Sequence, residues 1–279
     1  MGDIVAEIFK FLFKLNFIRG SYYGFYKRVF RPLQLFHGVK KSIQIKGSAL
    51  QLHIDDWVQQ NAFLLGEYEE AEFMAISTFI KHDCVFIDIG ANFGWYTLYA
   101  SSLIGKDGNV IAFEPFPENY KRLKKNIELN PKRKIIAENV AVGEKKGQLD
   151  LYYNKEEQNL GMVSKNMTPN SSKKTVPMIA LDDYVIDKNI EKIDFIKIDI
   201  EGAEFHALKG MKTVLKKYKP VLLIEILHYQ DDRKLILSFL KDLGYQQLFI
   251  ADNGSIKAKE SNETRENYIF TYSAKIQGQ

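Results

Sequence analysis

A single cysteine, Cys84, occurs in the 279 residues, so an internal disulfide and a cysteine-ligated metal cluster are excluded. It sits in the apolar run Cys84-Val85-Phe86-Ile87 and reads as a buried, inert thiol. A chain without disulfides fits a reducing compartment, and the expected location is cytoplasmic. No stretch reaches the roughly 18–20 uninterrupted apolar residues of a transmembrane helix. Asp3 and Glu7 near the front, with no small-residue cleavage site after Phe13, argue against a secretory signal. Neither a G-x-G-x-x-G dinucleotide fingerprint nor a G-x-x-x-x-G-K-[ST] triphosphate loop is present. The net charge of +4 is too small to argue for nucleic acid, and no Asn-Pro-Pro-type motif for a flipped base occurs. No nucleic-acid partner is expected.

What remains is a globular composition, 46% hydrophobic and 27% charged, long enough to bury a full core. The basic charge is concentrated at the front: residues 1–41 hold eight Lys/Arg against two acids. Ile4, Ile8, Phe11, Leu12 and Leu15 recur there at helical spacing, followed by aromatic bulk from Phe17 to Phe30. Residues 1–41 are therefore expected to form a basic, aromatic helical extension. Its apolar stripe is expected to pack on the domain. The alternative is peripheral contact with the inner face of an anionic membrane. Residues 42–66 read as short strands leading into the domain, turned at Lys46-Gly47-Ser48, and residues 67–279 as the domain itself.

Within the domain, the segments 85–89, 110–113, 134–137, 195–198 and 221–226 are apolar strands. Helical patterns at 67–80, 94–103, 117–130, 203–218 and 231–243 alternate with them. Strands apolar throughout and separated by helices predict an α/β, doubly wound, mostly parallel sheet covered on both faces. Segments 247–250 and 268–272 read as an antiparallel edge, and 149–153 and 175–180 as added strands around a polar loop. Within that loop, residues 159–164 are a candidate lid.

The first parallel strand carries Asp88 and runs into Gly90-Ala91-Asn92-Phe93-Gly94 at a helix start. Ligands of such sheets bind beyond the carboxyl ends of the strands, and glycine lets backbone approach them closely. The next strand ends in Glu114, whose carboxylate can accept from both hydroxyls of a ribose. Asp88 repels a pyrophosphate but suits a cationic amine. An acid, Gly90 and Gly94 around Asn92, and a ribose-binding acid together point to S-adenosylmethionine rather than a nicotinamide dinucleotide. Asn139 and Val140, after the third strand, are candidates for reading the adenine. Asp199, Glu201 and Glu204 follow the fourth strand, Glu225 ends the fifth, and His228 comes three residues later. Asp199, Glu225 and His228 are the candidate catalytic residues, with Asp199 also facing the cofactor. A carboxylate or imidazole there can take the proton of an acceptor hydroxyl. The weaker alternative is a divalent cation held by the same three. Glu201 and Glu204 also suit the first turn of a helix.

Asp88-Ile-Gly-Ala-Asn-Phe-Gly, Phe113-Glu-Pro, Asn139-Val-Ala-Val-Gly and Ile196-Lys-Ile-Asp-Ile-Glu-Gly-Ala-Glu occur in an order and spacing that resembles the FkbM family of methyltransferases. Leu181-Asp-Asp and Pro220-Val-Leu-Leu-Ile-Glu continue the likeness, which runs from about residue 66 to about 245. The resemblance implies a doubly wound, seven-stranded Rossmann-like methyltransferase fold; the N-terminal helical/β extension lies outside it and inherits nothing from it. It implies S-adenosylmethionine as donor and a hydroxyl acceptor on a small molecule or glycan. It also implies that Tyr68 and Glu69 line the cofactor pocket. A cofactor-binding protein without catalysis, acting at a membrane surface, is the rival reading.

Overall fold

The computed structural model describes residues 2–66, 68–153, 171–228, 231–258 and 266–272. The candidate lid at 159–164 lies outside them. Strands β1 (Lys40–Ile45) and β2 (Ser48–His53) form an antiparallel hairpin. Its two-residue turn, Lys46-Gly47, has φ of 46° and 82°, the left-handed pair that matches strand twist. The hairpin was expected, but the helix Trp57–Leu65 after it was not. Its start is set by Asp56, whose buried carboxylate accepts from the Gln59 N–H at 3.2 Å.

The main sheet contains β3 (Val85–Ile89), β4 (Asn109–Phe113), β5 (Ile135–Glu138), β9 (Phe195–Ile198), β10 (Val221–Glu225), β11 (Tyr245–Ile250), β12 (Ile256–Lys257) and β13 (Asn267–Tyr272). Its order is β12-β11-β13-β10-β9-β3-β4-β5. The run from β5 to β10 is parallel, and β13, β11 and β12 pair antiparallel. This is the expected seven-stranded sheet with a two-residue eighth strand, β12, on its edge. The remaining strands β6 (Ala141–Val142), β7 (Gly147–Tyr153) and β8 (Ser172–Ile179) make a separate three-stranded sheet.

The helix expected over 203–218 breaks into Glu204–Lys209 and Lys212–Tyr218. The cause is close approach at Gly210, where a Cβ would lie 1.9 Å from the Gly143 carbonyl oxygen. Asp182, on the unforeseen helix Leu181–Asp187, caps the second piece. Its two oxygens accept from Thr213 and Val214 N–H at 2.9 and 2.8 Å. Elsewhere two buried amides do the work of a strand. Asn130 and Asn126 accept from Ala49 N and Gln51 N at 2.8 and 2.7 Å, satisfying the open edge of β2. Asn126 also donates to the Phe93 carbonyl at 2.8 Å, tying the hairpin to the glycine turn.

One hydrophobic layer, with Phe86, Phe195 and Leu223, lies against the N-terminal segment and the helix Trp95–Leu103. The other, with Ile87, Ile196 and Ile224, lies against the helices after β9 and β10. The N-terminal helix Gly2–Leu12 docks through Ala6, with Phe9 and Phe13 filling an aromatic cluster with Tyr22, Phe25 and Phe30. Full burial of a side chain such as Phe13 contributes roughly 1.5–3 kcal/mol. The stripe expected to pack inward is the opposite one: Ile4, Ile8, Phe11 and Leu15 are exposed. Among the described residues no helix is long and apolar enough to cross a membrane.

Candidate active site

A cavity opens beyond the carboxyl ends of β3, β4, β9 and β10, lined by Glu114, Lys197, Asp199, Glu201 and Glu225. The glycine turn forms its floor. Gly90 sits at φ +83°, and a Cβ there would lie 1.8 Å from the Asp199 carbonyl oxygen, so only glycine fits. Asn92 adopts φ +50°, which asparagine tolerates, and its N–H donates to Glu114 Oε2 at 2.7 Å. Phe116 N–H donates to Glu114 Oε1 at 2.9 Å. Both oxygens of this buried carboxylate are thereby fixed. Burial pushes its carboxyl up to about 7. Glu114 stands where a ribose-binding acid is expected.

Three other expected residues stand elsewhere. Asp88 is fully buried beneath the turn and does not line the cavity; Thr97 Oγ1 donates to its Oδ2 at 2.5 Å. Its side chain lies on the face of β3 that the helix Trp95–Leu103 covers and is bonded to that helix rather than opening on the cavity. Asn139 also stays outside the cavity, because its amide donates to the Glu114 and Pro115 carbonyls at 2.8 and 3.0 Å. Val140 beside it does line the wall. His228 is exposed and outside the cavity. Beyond Glu225 the buried Ile226 anchors the chain through its N–H to the Glu266 carbonyl at 2.7 Å, and His228 then emerges at the surface. The imidazole is not among the side chains that line the cavity. Gly94, at φ +97°, starts the helix Trp95–Leu103 and packs on Leu123.

Tyr68 and Glu69 do line the cavity. Tyr68 meets Trp95 edge-on, with ring centroids 5.7 Å apart. Glu69, in the left-handed region at φ +56°, has its carboxyl pushed up to about 7 by burial, against the pull of Lys197. Three of the non-glycine residues at positive φ, namely Glu69, Asn92 and Glu201, line this one cavity. Backbone strain of this kind gathers at functional sites.

Sequence reasoning missed Lys197. It is buried, donates to Asp199 Oδ2 at 2.7 Å and lies 4.8 Å from the Tyr96 ring centroid. Burial favours its neutral form, but Asp199, Asp88 and Glu69 hold its ammonium protonated. Burial likewise disfavours the Asp199 charge, and Lys197 reverses this, holding the carboxyl below its usual range. Glu225 goes the other way: the Asp199 charge beside it pushes it up to about 10. The Asp199 charge thus favours the protonated form of Glu225 beside it. Glu201, at φ +52°, is pushed up to about 7 by burial and by the charges of Asp199 and Glu204. Glu204 serves the turn rather than the cavity, accepting from Ile200 and Gly202 N–H at 3.2 and 3.0 Å. Oxygens of Asp199, Glu201 and Glu225 lie within 4.8 Å of one another, with Lys197 as their counter-charge.

Counted along the chain without β12, the main sheet runs 3-2-1-4-5-7-6, with a glycine turn after its first strand and an acid after its second. That topology and turn define a Rossmann-like α/β methyltransferase fold. The chain matches the model of the methyltransferase FkbM domain over residues 88–246, and it belongs to that family. It is 26% identical over 162 residues to the hexuronic acid methyltransferase AglP of Haloferax volcanii, a match covering 58% of this chain and 63% of that protein. It is 24% identical over 147 residues to Methyltransferase 1 of Beauveria bassiana, covering 46% and 59%. The crystal structure of a methyltransferase FkbM from Methylobacillus flagellatus shares the fold with a TM-score of 0.50 at 19% identity, covering 77% of this chain and 52% of that one. The chain spans less than two thirds of the length of each of these relatives.

Proposed function

We propose that this protein is an S-adenosylmethionine-dependent O-methyltransferase acting on a hydroxyl of a glycan or small molecule. One observation carries the reading. A single cavity joins Glu114, a carboxylate fixed by two backbone N–H groups, to the carboxylates Asp199, Glu201 and Glu225. The cavity also suits a polar ligand. Asn92 Oδ1 and Trp95 Nε1 are buried in its wall with no partner among the described residues. Family membership and the hexuronic acid activity named for the archaeal relative support a sugar acceptor.

When bound, S-adenosylmethionine supplies an electrophilic methyl group. Glu114 holds the ribose hydroxyls, and the Gly90 turn admits the donor against the backbone. Tyr68, Glu69 and Val140 complete its walls. The acceptor hydroxyl must lose its proton as its oxygen attacks carbon. Glu201 takes that proton, because a carboxyl near 7 is matched to neutral pH. The Asp199–Glu225 pair, anchored by Lys197, keeps lone pairs to accept from a neighbouring hydroxyl of the acceptor and so orients it. A divalent cation among these carboxylates is the weaker reading, since the Lys197 ammonium already stands beside Asp199 and donates to its Oδ2 at 2.7 Å.

The test is calorimetric titration with S-adenosylhomocysteine, followed by methyl transfer over a panel of sugars and uronic acids. Binding with transfer to one class supports the proposal and names the acceptor class. Binding without transfer to any of them favours the non-catalytic alternative. No binding by folded protein overturns the cofactor assignment.

A further inference from the structure

We propose that the outer face of the N-terminal helix is an interfacial surface that seats the protein on an anionic lipid bilayer. The helix Gly2–Leu12 is apolar on two sides. Its inner side, Ala6 and Phe9, is used in docking, with Phe13 just beyond its end. Its outer side is not: Ile4, Ile8 and Phe11 are 68%, 52% and 67% exposed, at the i, i+4, i+7 spacing of a single stripe. Phe17, beyond the helix end, is 80% exposed as well. A docked helix of a water-surrounded domain normally turns a polar face outward. Here packing does not explain the outer stripe.

Charge selects the occupant. Asp3 and Glu7 are the two acids among residues 1–41, and both are bound by Lys41, at 2.8 and 2.7 Å. Lys14, Lys27 and Arg28 are exposed in the same segment, and Lys27 lies 4.5 Å over the exposed Tyr23 ring. Lys41 offsets one of the two acidic charges, and the exposed apolar side chains, the Tyr23 ring and the cations of this segment match the acyl-chain and headgroup chemistry of an anionic bilayer. The helix has 11 residues, too few to span, so it lies in the interface plane.

Co-sedimentation of the full chain with vesicles tests this. One set is phosphatidylcholine alone, and the other contains phosphatidylserine. The expected result is binding to the anionic set, weakened by added salt as surface charge is screened. The double variant Ile8→Ser/Phe11→Ser should bind at least tenfold more weakly, with unchanged melting, because both side chains are exposed. Lys14→Glu/Lys27→Glu should weaken binding to the anionic vesicles as well. The proposal is overturned if the wild type stays in the supernatant with anionic vesicles, or if the serine variant pellets like wild type. A lipid-free dimer that dissociates on the same serine substitutions would also overturn it, assigning the stripe to a second copy. None of these readouts depends on methyl transfer.

Discussion

Replacing Glu114 by alanine removes a carboxylate whose two oxygens are both fixed at the cavity wall, by N–H groups 2.7 and 2.9 Å away. Each oxygen keeps a lone pair for one ribose hydroxyl. A hydrogen bond to a charged group contributes about 1.5–3 kcal/mol, so two contribute roughly 3–6 kcal/mol. At about 1.4 kcal/mol per decade, Glu114→Ala should weaken S-adenosylhomocysteine binding by roughly a hundredfold to ten-thousandfold. The assay is calorimetry, with a melting curve to show that the variant is folded. The wild type adds a second signature. The Glu114 carboxyl is held near 7, so affinity should strengthen as pH rises through neutrality and the acceptor form fills. Stability of the free protein moves oppositely. A carboxyl whose folded value is raised favours folding most below its usual range, and that contribution is lost as pH rises through about 7. A folded Glu114→Ala variant binding within about threefold of wild type would refute the ribose assignment and the energy reasoning together.

Lys197→Met leaves Asp199, Asp88 and Glu69 without their buried cation and should cost about 3–5 kcal/mol in urea unfolding. Adding Asp199→Asn should recover part of that loss, and a fully additive double variant would argue against coupling. Gly90→Ala places a Cβ 1.8 Å from a carbonyl oxygen, whereas Gly94→Ala meets the flexible end of Leu123 at 2.9 Å. Gly90→Ala should therefore lose ligand binding far more completely, and equal effects in calorimetry would contradict the close-approach argument. Once an acceptor is known, kcat should rise with pH through about 7 as Glu201 deprotonates. Glu201→Gln should abolish that limb, and an unchanged profile would assign the base elsewhere. Chelation of divalent cations should leave activity intact; loss of activity restored by magnesium would revive the metal reading of Asp199, Glu201 and Glu225.

The parallel strands were legible because each is apolar throughout and bounded by turn residues, and β9 appears at the expected residues. The elements that escaped notice have separate causes. The helix Trp57–Leu65 contains Gln59 and Gln60, both buried and hydrogen-bonded, which blur its periodicity. The break at Gly210 is set by the Gly143 backbone, remote in sequence, which no local pattern reports. The outer stripe of the N-terminal helix misled for the opposite reason. Its spacing is a sound helix signal, but a helix apolar on two sides gives no local clue to which side meets the domain.

The site was legible in its strand ends and illegible in its strand faces. On a strand covered on both sides, alternate residues belong to different layers, and both layers read as apolar. Asp88 shares its face with Phe86, against the helix carrying Thr97, and does not open at the strand end. The parallel register makes the logic plain: Phe86 stands beside Phe195 and Asp88 beside Lys197, and one step further Gly90 meets Asp199. Phe86 and Phe195 stack with centroids 5.1 Å apart, sealing the layer below the charges. On the other side Leu223 stands beside Lys197, so the next residue of that face, Glu225, falls beside Asp199. A period-two alignment of Phe-x-Asp-x-Gly with Phe-x-Lys-x-Asp contains this ladder and would have exposed Lys197 as the buried counter-ion. His228, three residues beyond the strand, has no such register to hold it, and proximity in sequence carried no information about its place in space.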